Sequence, residues 1–148
     1  MEALGRIKEK FGSRLLKVEK KNGRRVYIDI APADLTDAAT FLYGDLDLRY
    51  MDITGLDRRD GIELLYHFAE DSSGYVFTLR VFLNDPKNPV IKSLTSLIIG
   101  ITWIEREIHE LLGVNFEGHP NMKHLLLGED WPEGNYPLRN DQNRDQRK

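Results

Sequence analysis

The chain has 148 residues, 41% of them hydrophobic, which is enough for one domain with a core of ordinary size. Its 21 basic and 24 acidic residues give a net charge of -3, so it has no broad positive field that would favour binding to nucleic acid. It contains no cysteine, which excludes disulfides and the thiolate ligands that hold nearly all iron–sulfur clusters.

The first residues predict a helix and then a β-hairpin. An amphipathic helix is indicated because Gly12 stands where a helix would end and three preceding apolar residues share one stripe, namely Leu4, Ile7 and Phe11. Two β-rich runs, residues 14–20 and 24–30, then flank Asn22-Gly23. Asn-Gly is the strongest short-range signal for a tight hairpin, so we expect these two runs to pair.

A second helix and three further strands are predicted next. The helical pattern opens at Pro32 and closes near Gly44, with an inner face made by Leu35, Ala38, Ala39 and Leu42. Three β-rich runs follow, over residues 46–54, 62–69 and 75–83. Asp60-Gly61 and the cluster at residues 71–74 supply the turns, which predicts a meander of antiparallel strands.

The last predicted helix covers residues 96–112, and Gly113 ends it. Its core-facing stripe consists of Leu97, Ile101, Ile104, Ile108, Leu111 and Leu112. The order helix, two strands, helix, three strands, helix predicts an α+β fold over residues 1–113. We expect a two-layer sandwich with the helices on one face of a mainly antiparallel sheet.

Residues 114–141 show no sustained period of either kind, although they contain large side chains such as Trp131 and Tyr136. So long a stretch without regular structure is uncommon in a compact domain unless it has a function. Aromatic, methionine and arginine side chains are enriched at interface cores, which suits a segment lying against another protein. A tail wrapped over its own domain fits the same pattern. Residues 142–148 are all polar or charged and are predicted to be a disordered tail.

The densest polar cluster surrounds the end of the last helix and allows two interpretations. A small metal-dependent enzyme would use His109 and His119 with Glu105 or Glu110. Helical phase argues against it, because Glu105 and Glu107 fall on opposite borders of the apolar stripe and cannot converge on one ion. No His-Glu-x-x-His pattern, glycine-rich phosphate loop or nucleophile elbow is present.

The alternative interpretation is structural. It takes Arg106 and Glu110 as an ion pair on the exposed face of the helix, with Glu105 and Glu107 as border carboxylates. Carboxylates at such a border can accept hydrogen bonds from backbone amides or arginines of a neighbouring segment. The segment after the helix carries Lys123 and Arg139, either of which could be such a neighbour. The cluster would then hold a piece of chain in place.

Residues 103–141 resemble the signature of the 30-kDa subunit family of respiratory complex I, also called the C subunit of NADH:quinone oxidoreductase. The matching positions are Glu105, Arg106, Glu107, Glu110, Leu111, Leu112, His119, Lys123, Leu125 and Leu126. The family tends to continue with a tryptophan and a Pro-Leu-Arg-Lys-Asp end, which resembles Trp131, Pro137, Leu138, Arg139, Asn140 and Asp141. Asn140 departs from the pattern, since lysine is usual there.

The resemblance implies a non-catalytic subunit in the peripheral arm of a complex I-like, ion-pumping redox complex, at the cytoplasmic side of the cell membrane. Its partners would be a hydrogenase-like large subunit and iron–sulfur subunits. Iron–sulfur clusters and nickel–iron or flavin groups would belong to those partners, and this chain would hold no cofactor. The signature residues, together with Trp131, Pro137, Leu138 and Arg139, would hold the C-terminal segment and the partner surface in place.

Other properties of the sequence bear on this assignment. The longest nearly uninterrupted apolar run, residues 96–104, is far shorter than the roughly 20 residues that span a bilayer, and residues 1–11 are too charged for a signal peptide. The chain begins almost at its first helix and ends soon after the signature, which favours the smaller membrane-bound hydrogenase-like assemblies. Two alternatives to the structural subunit stay open. They are the small metal-dependent enzyme and a free-standing protein-binding module.

Overall fold

The structure is a computed structural model that describes residues 2–140. The predicted tail at residues 142–148 and the last signature residue, Asp141, lie outside the described residues. Contacts between residues divide the described chain into two units. The first contains the residues up to 53 together with 64–82, and the second contains 54–63 together with the residues from 83 onward.

Three helices and seven strands are present in the described part of the chain. The helices are α1 (Glu2–Phe11), α2 (Leu35–Thr40) and α3 (Thr102–Leu112). The strands are β1 (Leu15–Asn22), β2 (Arg25–Ile30), β3 (Arg49–Arg58), β4 (Gly61–Glu70), β5 (Tyr75–Leu83), β6 (Val90–Lys92) and β7 (Asn115–Glu117). The predicted α+β class is confirmed.

Strands β1 to β5 form one mainly antiparallel sheet in the order β1-β2-β5-β4-β3. The predicted hairpin is confirmed as the antiparallel pair β1 and β2, and the predicted meander as the run β5-β4-β3. The sequence did not predict that β2 pairs with β5 in parallel, since no turn joins them. The pairing matches one apolar face with another, because Val26, Ile28 and Ile30 lie beside Phe77, Leu79 and Val81.

The first unit contains α1, α2 and the hairpin. Gly12 has a φ of +47°, the left-handed conformation in which a glycine can end a helix, as predicted. The apolar stripes of the two helices and of β2 are all buried, at Leu4, Ile7, Phe11, Val26, Ile28, Ile30, Leu35, Ala38, Ala39 and Leu42. Each large aliphatic side chain in such a core contributes roughly 1.5–3 kcal/mol through burial.

The second unit contains α3, which begins later than predicted. Residues 95–97 form a turn in which the amides of Leu97 and Ile98 both donate to the carbonyl of Leu94, and a single 3-10 turn follows at Ile99–Ile101. The prediction of a helix from residue 96 was wrong, because apolar residues in this turn imitate a helical stripe. The predicted stop at Gly113 is confirmed by its φ of +77°. The short parallel pair β6 and β7 was also not predicted.

Across residues 2–140, none of the helices combines the length and the apolar character needed to cross a membrane.

Candidate functional site

Helix α3 holds residues 123–127 by their main chain. The guanidinium of Arg106 donates from Nε to the carbonyl of Lys123 at 2.9 Å and from its second nitrogen to the carbonyl of His124. A guanidinium has five donors and no acceptor, so it suits a site that presents only carbonyl oxygens. Lys123 thus takes part through its main chain, while its side chain is exposed.

Glu110, one turn further along α3, binds the next three residues. Its carboxylate accepts hydrogen bonds from the amides of Leu125 at 2.9 Å, Leu126 at 2.7 Å and Leu127 at 3.3 Å. Burial by itself would raise the pKa of Glu110, but these amides outweigh that effect and the net pKa is lowered. Converging main-chain amides form an anion-binding concavity, and here the anion is a side chain of the same chain.

The predicted exposed ion pair of Arg106 with Glu110 is therefore wrong. The Glu110 side chain is only 1% exposed, and neither residue takes the other as its hydrogen-bond partner among the contacts described. Both side chains bind main-chain groups of residues 123–127, which we call the strap. A helical projection predicts that this face is exposed because its residues are polar. The projection contains no information on whether another stretch of the chain covers the face.

Glu105 is also buried rather than lying at a border. It is 0% exposed, accepts a hydrogen bond from the amide of Leu94 at 2.9 Å and bonds to the hydroxyl of Ser93 at 2.6 Å. Burial raises the pKa of Glu105, and the hydrogen bonds from Ser93 and Leu94 offset that shift only in part. Glu105 thus fixes the chain that precedes α3, whereas Glu110 fixes the chain that follows it. Glu107 is half-buried, in agreement with its predicted border position.

The two histidines proposed for a metal site instead bind backbone carbonyls. His109 donates from Nδ1 to the carbonyl of Val114 at 2.8 Å, and His119 donates from Nε2 to the carbonyl of Thr102 at 2.9 Å. A carbonyl can only accept, so each contact fixes which ring nitrogen carries the proton when the ring is neutral. Within residues 2–140, no three His, Asp or Glu side chains are grouped so that they could hold a metal ion.

Arg139 lies at the C-terminal end of α3, away from the glutamates it was considered to bind. It donates to the carbonyl of Leu112 at 3.3 Å and to that of Pro86 at 2.7 Å, and its Nε lies 3.6 Å from a carboxylate oxygen of Asp57. Both Arg139 and Asp57 have only 8% of their side chains exposed. The other oxygen of Asp57 accepts the amide of Asn140 at 2.7 Å. Sequence analysis missed Asp57, because no local pattern connects it to Arg139.

The remaining signature residues order the end of the described chain. The indole nitrogen of Trp131 donates to the carbonyl of Asn135 at 2.7 Å, which closes a turn. Leu138 follows the half-buried Pro137 and donates its amide to the carbonyl of Leu111 at 3.0 Å. The side chain of Leu138 nevertheless remains 57% exposed. The main chain here is held on α3 while the side chain of Leu138 faces outward.

Comparison with known proteins places this arrangement in a family. A sequence profile described as "Respiratory-chain NADH dehydrogenase, 30 Kd subunit" matches residues 28–148. The C subunit of the NADH-quinone oxidoreductase of Roseiflexus castenholzii is 35% identical over 120 residues, covering 77% of this chain and 67% of that protein. The same subunit of Chloroherpeton thalassium is 34% identical over 141 residues, covering 91% of this chain and 57% of its own length. The chain thus spans 57% to 67% of these two relatives.

A third relative belongs to a different complex. The C subunit of the F(420)H(2) dehydrogenase of Methanosarcina mazei is 35% identical over 121 residues, covering 79% of this chain and 73% of that protein. The relatives therefore belong to complexes that are named for different electron donors, NADH in one case and F(420)H(2) in the other.

Solved structures share the fold. A chain of the membrane-bound sulfane sulfur reductase, an archaeal respiratory membrane complex, aligns with a TM-score of 0.83 at 23% identity, over 95% of this chain and 83% of that one. The trypsin-resistant fragment (1-134) of Nqo5 aligns with a TM-score of 0.67 at 23% identity, over 80% of this chain and 98% of that fragment. The chain belongs to the family of the respiratory-chain NADH dehydrogenase 30 Kd subunit, as the resemblance of residues 103–141 predicted.

Proposed function

We propose that this chain is a non-catalytic structural subunit of a complex I-like, redox-driven ion-pumping membrane complex. It lies in the peripheral arm on the cytoplasmic side and packs against the hydrogenase-like large subunit. Electron transfer is carried out by partner subunits, which hold iron–sulfur clusters and nickel–iron or flavin groups. The names of the relatives, which are subunits of NADH-quinone oxidoreductase and of F(420)H(2) dehydrogenase, support this role.

The observation that carries the proposal is how α3 uses its polar side chains. Glu105, Arg106 and Glu110 all bind other parts of the chain, mostly at main-chain groups. A side chain whose lone pairs or protons already form hydrogen bonds with other groups of the same chain is poorly placed for acid–base chemistry. The polar cluster is better suited to fixing the shape of a surface.

That surface has the character of a protein interface. Four large apolar residues of the second unit are more than half exposed: Ile99 at 78%, Trp103 at 67%, Leu126 at 64% and Leu138 at 57%. Tryptophan is among the residues most often found at the centre of protein interfaces. Trp103 and Ile99 are one turn apart, and Leu126 lies in the strap that α3 holds. A partner that covers this surface would bury apolar area already held in a fixed geometry.

The test is co-purification from the natural host with the full-length chain carrying an affinity tag. The unaltered chain is expected to recover a large subunit related to nickel–iron hydrogenases together with iron–sulfur proteins, identified by mass spectrometry. Arg106→Ala and Glu110→Gln should each lower that recovery at least fivefold, because the strap loses its main-chain contacts. Glu117→Gln, at an exposed glutamate of β7 that lies outside the signature, is the matched control and should leave recovery unchanged.

Recovery of the chain alone, as a monomer under gentle lysis, would instead support a free-standing binding module. Stoichiometric metal in the purified chain would support the metal-dependent enzyme. Either result overturns the proposal.

A further inference from the structure

A cavity of about 500 Å³ opens beside α3 and the strap. Pockets that take small ligands have volumes of this order, so the cavity has room for one side chain of a partner. Its lining includes His109, His124, Trp131, Glu133 and Tyr136. Glu110, Lys123 and Trp131 of the lining belong to the family signature described above, whereas His109, His124, Glu133 and Tyr136 do not.

Each of the two histidine rings can present an acceptor nitrogen to the cavity in its neutral form. His109 donates from Nδ1 to the carbonyl of Val114, so its Nε2 carries a lone pair when the ring is neutral. His124 lies with Nδ1 3.3 Å from a carboxylate oxygen of Glu110, so its Nε2 is likewise an acceptor when the ring is neutral and Nδ1 carries the proton. Within the part of the chain that the structure describes, no hydrogen bond is made by either Nε2.

The rest of the lining favours a cation. Trp131 and Tyr136 supply aromatic faces, which attract ammonium and guanidinium groups. Glu133 supplies an exposed carboxylate, and Glu129 and Asp130 precede it in the same stretch. Lys123 is the one lysine or arginine in the lining and is itself exposed, so the lining carries two carboxylates, Glu110 and Glu133, against one ammonium group. An anionic ligand would be repelled by Glu110 and Glu133.

We propose that this cavity receives an arginine side chain from the partner subunit. An arginine combines the two features that the lining calls for, a flat face that stacks on aromatic rings and several donors in a fixed plane. Its guanidinium donates to Nε2 of His109 and His124 and to the carboxylate of Glu133, while Trp131 and Tyr136 contact its face. That the arginine comes from a partner subunit rests on the proposed function, whereas the preference of the cavity for a guanidinium group does not.

Binding of the side chain alone can be measured with the full chain in solution. N-acetylarginine amide should shift the NMR signals of the His109 and His124 rings and of the Trp131 indole in a saturable way. N-acetylleucine amide, an apolar probe of the same backbone, should shift none of them. Glu133→Gln should weaken the arginine probe at least threefold, whereas Glu129→Gln, outside the lining, should leave its affinity unchanged. Equal binding of both probes, or no effect of Glu133→Gln, overturns the proposal.

The source of the arginine is tested in the purified complex. If the partner fills the cavity, diethyl pyrocarbonate should modify His109 and His124 at least tenfold more slowly in the complex than in the free chain. Equal reactivity in both states would show that nothing from the partner enters the cavity. That result would refute this inference while leaving membership of the complex intact, so the two failures can be told apart.

Discussion

Arg106 and Glu110 lie one helical turn apart, yet each binds the strap rather than the other. The guanidinium donates hydrogen bonds to the carbonyls of residues 123 and 124, and the carboxylate accepts them from the amides of residues 125–127. The charges of the two side chains therefore match the polarity of the main chain they face. An ordinary surface pair at this spacing contributes only a few tenths of a kcal/mol and depends on the pair alone.

This difference predicts the result of a charge swap. The double variant Arg106→Glu with Glu110→Arg should be less stable than either single variant, because it places a carboxylate against carbonyls and a guanidinium against amides. The measurement is the free energy of unfolding in urea. The matched control is the pair Arg49 and Asp71, whose side chains bind each other at 2.8 and 2.9 Å. Swapping that exposed pair should change stability by less than about 1 kcal/mol. Recovery of stability in the Arg106 and Glu110 swap would contradict the strap geometry.

The two buried glutamates should respond differently to an isosteric amide. Glu110 accepts main-chain amides at both carboxylate oxygens, so Glu110→Gln turns an NH2 group toward a donor and should cost about 2 to 4 kcal/mol. Glu105 accepts one amide and bonds to one hydroxyl, and an NH2 group can donate to that hydroxyl. Glu105→Gln should therefore cost less than about 1 kcal/mol. Equal losses on chemical denaturation would contradict this assignment of donors.

Stability should also depend on pH with opposite signs at these residues. The pKa of Glu110 is lowered in the folded chain, so its contribution is present above the ordinary value of 4.5 and is lost as the pH falls through the folded value. The pKa of Glu105 is raised, so its contribution is present below 4.5 and is lost as the pH rises through the folded value.

Difference profiles against the unaltered chain isolate each residue. As the pH rises from below 4.5 towards neutrality, the stability deficit of Glu110→Gln should grow, whereas Glu105→Gln should gain relative to the unaltered chain. Urea unfolding at a series of pH values provides the profiles. Parallel profiles would show that the two carboxylates share one environment, contrary to the structure.

The sequence predicted those parts of the fold that are encoded locally. Gly12 and Gly113 marked the ends of two helices, and the alternation of apolar residues located β2 and β5. The pairing of β2 with β5 could not be predicted, because two buried strands with no connecting turn have no sequence feature that identifies them as neighbours. The start of α3 was misplaced because the turn before it contains apolar residues, Leu97 and Ile98, at positions that continue the helical stripe.

The sequence singled out the polar residues of α3 but could not predict the geometry of their contacts. The signature identified Glu105, Arg106 and Glu110, and the interpretation that carboxylates there hold a neighbouring segment agrees with their contacts. Their partners are amides and carbonyls, which every residue has, so no sequence pattern could reveal which residues they bind. Asp57 was missed because its contact with Arg139 depends on the fold.

Gly113 predicts a steric effect that can be separated from backbone strain. Its φ is +77°, and a Cβ added there would lie 2.5 Å from a ring carbon of Tyr136. Gly12 has a φ of +47° with nothing within 4 Å of the same added atom. Gly12→Ala should cost about 1–2 kcal/mol for the left-handed backbone alone, and Gly113→Ala about 1–3 kcal/mol more because the Tyr136 ring must move. If Gly12→Ala and Gly113→Ala lower the free energy of unfolding equally, the Tyr136 ring moves aside without an energetic cost and the steric prediction is wrong.

Trp103 should matter for assembly and not for folding. Its side chain is 67% exposed, so Trp103→Ser should change the free energy of unfolding by less than about 0.5 kcal/mol. If Trp103 is central to the interface, its loss should cost at least about 2 kcal/mol of binding, roughly a thirtyfold weaker association with the complex. Leu16, 68% exposed in the first unit, is the matched control, and Leu16→Ser should leave association unchanged. Competition of each variant with the tagged, unaltered chain for incorporation into the complex measures the effect. Equal incorporation of the Trp103 and Leu16 variants would place the interface on another surface, because a partner that buries Trp103 cannot be indifferent to its removal.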